Sequence, residues 1–240
     1  MQFSLIIPTL NEAENISSFV SQVDRVLSNE FGDRYEIVII DDESSDGTGQ
    51  IALAMQADFP RLRVLIRSTK NGLGRAVVEG WELSTGEILA TINADFQHPP
   101  ELLPELVGKI NSGADLVVAT RYKNGGTIHG WSLTRKILST GAHMAGCLIL
   151  PHVLGRVSDP MSGYFAFKRD CIASVKLQPF GFKTLIEVLA RGTVENIAEV
   201  GYTFRERQKG KSKASYRQSW LYIKQILILR KEMKDQCKKL

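Results

Sequence analysis

Short runs of Ile, Leu and Val recur through the first half of the chain, and no other feature narrows its fold as much. They are Gln2–Ile7 (QFSLII), Tyr35–Ile40 (YEIVII), Leu62–Ile66 (LRVLI), Glu87–Ile92 (EILATI) and Asp115–Ala119 (DLVVA). Near-continuous apolar runs of this length suit strands covered on both faces. Helical patterns alternate with them. Residues 12–28 carry Ile16, Phe19, Val20, Val23 and Leu27, residues 46–57 carry Ile51, Ala52 and Met55, and 73–83 and 100–110 continue the series. This alternation predicts an α/β fold with a mostly parallel central sheet and helices on both faces.

The second half reads differently. Residues 127–154 are expected to be helical, Tyr164–Lys168 and Ala198–Phe204 to be strands, and 182–191 to be a helix between them. From Gln208 onward Lys and Arg dominate, around an apolar stretch with Trp220, Tyr222, Ile223, Ile226 and Leu227. No internal repeat or low-complexity linker is visible.

Several function classes fall away. With 43% apolar and 23% charged residues the chain is neither disordered nor fibrous. Cys147, Cys171 and Cys237 lie far apart with no CxxC, against a disulfide scaffold or zinc knuckle. There is no GxxxxGK[ST] and no GxSxG, and PTLNEAEN stands where a dinucleotide-binding GxGxxG would follow the first strand. The N-terminal apolar run lacks a basic leader, so no signal peptide is expected. Ile137–Gly155, free of Asp, Glu, Lys and Arg, holds His143, Pro151 and His152 and reads as an interfacial helix rather than a span.

Ligands of such sheets bind beyond the carboxyl ends of the strands. Three polar loops fall there: Pro8–Glu12, Asp41–Thr48 and Asn93–Pro100. Asp95 and Gln97 offer a carboxylate and an amide oxygen, hard donors suited to Mg²⁺ or Mn²⁺; Asp95 as a cap for the helix that follows is the other reading. Asp42 suits a ribose or base, while Asp46-Gly47-Thr48 signals a turn. Arg121, Arg135 and Arg207 lie near separate element ends, where converging guanidinium groups could bind phosphates.

Seven segments in order carry a resemblance: IPTLNEAENI ending at Ile16, VIIDDESSDGT (38–48), KNGLGRA (70–76), NADFQHPPELLPEL (93–106), ATRY (119–122), SDPMSGY (158–164) and RERQKGKSK (205–213). Together they resemble the family-two inverting glycosyltransferases, in the polyprenyl-phosphate (dolichol-phosphate) mannosyltransferase branch. The resemblance implies a GT-A-type fold over residues 1–213, with a nucleotide-sugar half at 1–122 and an acceptor half at 123–213. A basic amphipathic helix at 214–240 follows. It further implies that Pro8, Glu12, Asp42, Asn93, Ala94 and Asp95 line the nucleotide sugar and that Asp95 and Gln97 hold Mg²⁺ or Mn²⁺. Arg121, Arg135, Arg207 and Lys213 would hold phosphates, with Ser212 beside Lys213 in the family's GxSK. Asp95, Asp159 and Arg121 are the candidate catalytic residues. Two departures stand out: Asn93 replaces the first Asp of the family's Asp-Ala-Asp, and Met161 replaces a Thr or small residue.

The implied reaction moves a sugar, mannose from GDP-mannose, to polyprenyl (dolichyl) phosphate with inversion. A phosphomonoester is largely dianionic at pH 7, its second pKa lying near ~6, so it needs positioning and charge neutralisation more than a base. Asp159 is then a base or an acceptor orienter. Rivals are UDP-glucose as donor, a glycan hydroxyl as acceptor, and a degenerate homologue made inactive by Asn93. A nucleic-acid partner is not expected, because the basic tail lacks any recognised binding pattern. The chain is expected to be cytoplasmic and peripheral, reaching its lipid from the membrane surface or through a membrane-anchoring partner.

Overall fold

The computed structural model describes residues 2–69, 71–128, 133–179, 183–205 and 216–237. Strands β1 (Phe3–Thr9), β2 (Tyr35–Asp41), β3 (Leu62–Ile66), β4 (Ile88–Thr91), β5 (Leu116–Thr120), β7 (Phe165–Lys168) and β8 (Ile197–Gly201) form one sheet in the order β3-β2-β1-β4-β7-β5-β8. A two-stranded sheet joins β6 (Thr127–Ile128) to β9 (Thr203–Phe204). Only β7 runs against its neighbours in the large sheet.

The apolar runs are explained by what covers them. Helices α1 (Ile16–Phe31), α2 (Thr48–Met55) and α4 (Leu103–Asn111) pack on one face, while α3 (Leu73–Leu83), α6 (Pro151–Leu154), α7 (Thr184–Arg191) and α8 (Tyr216–Cys237) pack on the other. Successive strand side chains point to opposite faces. Leu5 and Ile7 therefore enter the first core and Ile6 the second; Ile37 and Ile39 likewise oppose Val38 and Ile40. Apolar residues therefore fill most strand positions, and the buried exceptions are paired, as Ser4 Oγ donates to Glu36 Oε1 at 2.7 Å.

The strand order reverses between β1 and β4, which opens a crevice at their carboxyl ends. Because β7 is antiparallel, its entry loop, residues 158–164, reaches the same rim. That is how Asp159, distant in sequence, joins the loops after β1, β2 and β4.

Two expectations are corrected. Residues 198–204 are not one strand. β8 ends at Gly201, where an added Cβ would stand 2.1 Å from the Asn124 carbonyl oxygen. The chain then changes sheets at Tyr202, whose N–H donates to Thr120 O while its carbonyl accepts from Thr127 N. Residues 127–154 are not one helix. Thr127–Ile128 pair as β6, α5 spans Leu133–Ile149, and Pro151 opens α6, since proline cannot donate the bond a continuing helix requires.

On α8, Tyr222, Gln225, Ile226 and Leu229 are buried, whereas Trp220 is 61% and Leu227 50% exposed. On α5, Met144 is 61% and Leu148 81% exposed. Gly146 lets these two helices approach: a Cβ there would sit 2.0 Å from the Tyr222 hydroxyl. No helix among the described residues is long and apolar enough to cross a membrane.

Candidate active site

Hydrogen bonds stitch the loops after β1 and β2 into one wall. Asn11, at φ 51°, accepts from Ser45 N through Oδ1 at 2.9 Å. Glu12 N donates to Thr48 Oγ1 at 2.8 Å, and Ala13 N donates to Asp46 Oδ2 at 3.0 Å. Asp46 thus serves the turn that its sequence signalled. Asp41 also ties the turn, accepting from Thr9 Oγ1 at 2.9 Å and from Ser44 N at 3.0 Å.

Asp42 has a second duty that the sequence did not reveal. Its Oδ1 accepts from Arg67 Nη1 at 2.7 Å and Asn71 N at 3.1 Å, and its Oδ2 accepts from Gly72 N at 3.1 Å. Arg67 is itself buried and reaches Glu79 on α3 at 3.0 Å. The loop entering α3 is therefore held by the same carboxylate assigned to the nucleoside. The usable signal was a cation directly after an apolar strand, beside Asp41-Asp42 at the end of the neighbouring strand.

The loop after β4 holds Asn93, Ala94, Asp95 and Gln97 together. Phe96 adopts φ 57°, an uncommon conformation for an aromatic residue. Its ring meets Phe19 edge-on at 5.1 Å. The kink lets Gln97 N donate to Asp95 Oδ1 at 3.2 Å. Gln97 is gripped from outside as well: Nε2 donates to Arg205 O at 3.2 Å, and its carbonyl accepts from Arg205 N at 3.1 Å. That grip turns the amide nitrogen toward Arg205 and leaves the amide oxygen as the end suited to a cation. Among the described residues no group of three or more His, Cys, Asp or Glu could hold a metal. A carboxylate and an amide oxygen do fit a hard ion that keeps water and substrate phosphate as its other ligands.

His98 is buried wall rather than an open ligand. Its ring lies 5.5 Å from Tyr164, 5.7 Å from Tyr202 and 5.4 Å from Phe204, and Nδ1 stands 4.0 Å from Asp95 Oδ1. Asn93 stands against the β7 entry loop, where a Cβ on Gly163 would come within 3.2 Å of its Nδ2.

Arg121, at the end of β5, donates to Asp159 through both arms of its guanidinium, Nε to Oδ2 at 2.7 Å and Nη2 to Oδ1 at 2.8 Å. Its side chain is 9% exposed and that of Asp159 is 1% exposed. Burial alone would depress the guanidinium pKa; the Asp159 hydrogen bonds and charge outweigh it and hold it above its ordinary range. Phe204 and Tyr122 flank the same guanidinium, with ring centroids 5.3 and 5.4 Å from Cζ. Arg135 belongs to α5, but its side chain lies outside the described residues, as do Arg207, Ser212 and Lys213.

A second cation, after Arg67, escaped the sequence reading. Lys183, at the entrance to α7, donates to Met161 O at 2.7 Å, in the loop that carries Asp159. Burial and then the Arg121 charge push its pKa down to about 7. A lone lysine outside the recognised motifs gives no signal before folding brings its loop to the rim.

Comparison with known proteins places this arrangement. The sequence model of "Glycosyl transferase family 2" matches residues 4–186. A dolichol-phosphate mannosyltransferase of Pyrococcus furiosus is 38% identical over 231 residues, 96% of this chain and 64% of that protein. The enzyme of the same name from Mycosarcoma maydis is 34% identical, over 94% of this chain and 78% of its own length. The Saccharomyces cerevisiae one is 30% identical, over 94% and 86%. Among solved structures, Mycobacterium tuberculosis glucosyl-3-phosphoglycerate synthase, in complex with Mn²⁺, UDP-glucose and phosphoglyceric acid, aligns with a TM-score of 0.74. It is 24% identical and the alignment covers 95% of this chain and 79% of that one, a likeness of fold. The α/β, GT-A-like architecture expected from the sequence is thereby borne out.

Proposed function

The chain belongs to glycosyl transferase family 2, and on that premise we propose that it transfers mannose from GDP-mannose to a polyprenyl (dolichyl) phosphate, inverting the anomeric carbon. It is a glycosyltransferase resembling the dolichol-phosphate mannosyltransferases.

The observation that carries the acceptor assignment is the grip of Arg121 on Asp159. A hydroxyl acceptor needs a base to remove its proton. The carboxylate nearest that duty is occupied on both oxygens by a guanidinium. A phosphate acceptor arrives already deprotonated and needs cations and orientation instead. Arg121 supplies charge, Asp159 fixes its planar fork, and the aromatic wall of Tyr122, Tyr202 and Phe204 keeps water from the pair.

The remaining residues fit around this. Pro8, Glu12, Asp42, Asn93 and Ala94 line the nucleoside pocket in this reading. Asp95 and Gln97 would hold Mg²⁺ or Mn²⁺ through a carboxylate and an amide oxygen. When bound, the ion neutralises charge on the departing nucleoside diphosphate. Arg135, Arg207 and Lys213 are assigned to phosphates from the resemblance.

A polyprenyl phosphate is anchored in a bilayer, so the enzyme must meet a membrane or a membrane-anchored partner. The exposed apolar residues Met144 and Leu148 of α5 and Trp220, Ile223 and Leu227 of α8 support a surface encounter. Lys224 lies with Nζ 5.4 Å over the Trp220 ring, and Arg230 and Lys231 follow on the same helix. Aromatic and apolar burial beside cations suits an anionic lipid surface.

The test is transfer of radiolabelled sugar from GDP-mannose and from UDP-glucose to polyprenyl phosphate, with and without Mn²⁺. Transfer from GDP-mannose that needs the ion is expected. Preference for UDP-glucose overturns the donor, and transfer only to a glycan hydroxyl overturns the acceptor.

A further inference from the structure

We propose that Asp42 accepts a single hydrogen bond from the donor's nucleoside, at Oδ2, and that Arg67 is the positioning residue that closes its other oxygen. The inference rests on the nucleoside role given to Asp42 above and deepens it.

The count of acceptor positions carries it. The two oxygens of an ionised carboxylate offer about four lone-pair positions and no donor. Asp42 Oδ1 already accepts from Arg67 Nη1 at 2.7 Å and from Asn71 N at 3.1 Å, so it is full. Oδ2 accepts from Gly72 N at 3.1 Å and keeps one position. The side chain is 3% exposed, an opening that suits one ligand atom rather than the edge of a ring.

Arg67 is held in turn. Its Nε pairs with Glu79 Oε2 on α3 at 3.0 Å, Nη1 also reaches Gly72 O at 3.4 Å, and the side chain is 8% exposed. The backbone sets the meeting: Asp42 N donates to Thr9 O and Arg67 N to Asp41 O, each at 2.9 Å, so carboxylate and guanidinium stand at adjoining strand ends. Parting so buried a pair is costly, and the bond to Oδ1 therefore persists when a nucleotide arrives.

The consequence is a limit on what the carboxylate can read. Guanine presents its ring N–H and its exocyclic amine side by side, a pair that an open carboxylate takes with both oxygens. With Oδ1 closed, Asp42 can take one of those groups or one ribose hydroxyl, but not two donors together.

Thermodynamic cycles on the full chain test this. The ligands are GDP and four analogues that each lack one donor: inosine diphosphate without the amine, N1-methyl-GDP without the ring N–H, and the 2′- and 3′-deoxy forms. Each is titrated calorimetrically, with Mn²⁺, into the wild type and Asp42→Asn. The variant should bind GDP about tenfold or more weakly, the loss of one charge-assisted hydrogen bond. One analogue, and only one, should escape that loss, because it has already given up the bond; which one it is identifies the donor group. Two analogues that each escape part of the loss overturn the inference and leave Asp42 as a nucleoside ligand. A loss common to every ligand, or no loss, means that Asp42 touches no nucleoside and overturns both readings. Arg67→Met should weaken GDP by about tenfold and Arg67→Lys by less, since an ammonium keeps a charge beside Asp42. Neither should shift the binding of inorganic pyrophosphate, which carries no nucleoside, by more than about twofold, within the scatter of surface effects. An equal loss of pyrophosphate overturns the positioning role and makes Arg67 a residue of the fold alone. No GDP binding by the wild type overturns the GDP-mannose reading and this inference together.

Discussion

Arg121 and Asp159 meet across the rim in two parallel hydrogen bonds of 2.7 and 2.8 Å, joining the end of β5 to the loop before β7. Removing one partner of such a buried pair strands the other charge, at a cost of about 3–5 kcal/mol. Arg121→Ala and Asp159→Ala should therefore lose stability as well as transfer. Arg121→Lys should recover charge but not the fork, and so not full activity. The double variant Arg121→Met, Asp159→Leu should regain much of the stability and none of the transfer. Denaturant unfolding beside a transfer assay checks both; single alanine variants as stable as the wild type would contradict the pairing.

Asp95 and Asn93 share the β4 loop but should behave oppositely. Asp95→Ala is expected to abolish transfer, as should chelation of divalent ions from the wild type. Asn93→Asp should leave activity unchanged or raise it, because it restores a carboxylate without adding bulk. Full transfer by Asp95→Ala in excess chelator would remove the ion from the scheme.

Gly146 tests the seat of α8. Its Cβ would meet the Tyr222 hydroxyl at 2.0 Å and Leu154 Cδ1 at 2.8 Å. Gly146→Ala should destabilise by about 1–3 kcal/mol, the usual cost of overpacking. Tyr222→Phe, which removes the nearest clashing atom, should return part of that loss. A double-mutant cycle on thermal unfolding showing no coupling would mean that α5 shifts freely on α8.

The membrane reading is best probed on the exposed stripe, since truncation before α8 would also delete the buried Tyr222, Ile226 and Leu229. Trp220→Ser with Leu227→Ser should leave the melting temperature nearly unchanged and weaken flotation with anionic liposomes. Wild-type flotation should fall as salt rises. Flotation that ignores both substitutions and salt would remove the stripe from the interface.

Lys183 also gives a signature in stability. The amine takes up its proton near pH 10.5 when unfolded but only near about 7 when folded. Between these values the unfolded chain binds more protons, so this group's contribution to stability grows as pH rises from about 7 toward 10.5. Lys183→Met should flatten that dependence. Equal pH slopes in both proteins over this window would place the ammonium in solvent.

The sheet was legible because covering both faces demands consecutive apolar residues along the strands, as in Leu5-Ile6-Ile7. α3 was legible to the residue, Leu73–Leu83, because glycine and a turn fence it. The change of sheet at Tyr202 was not, because Ala198–Phe204 keeps one apolar texture while the backbone turns away at Gly201. The site was legible where chemistry clusters along the chain, as in Asp95-Phe96-Gln97. Arg67 and Lys183 were not, since their meaning lies in partners that only folding supplies: Asp42 for the first, Met161 and the Arg121–Asp159 pair for the second.

β7 lies between β4 and β5, so the strand whose entry loop bears Asp159 is bolted into the middle of the sheet that begins with residue 3. Residues 1–122 and 123–213 are therefore not separable cassettes. A chimera carrying residues 123–213 of a relative would have to re-form both ladders of β7 at once, Thr91 against Phe165 and Val118 against Phe165. On the donor and acceptor reading proposed above, a change of specificity would be sought in single rim loops, with β7 left in place between β4 and β5.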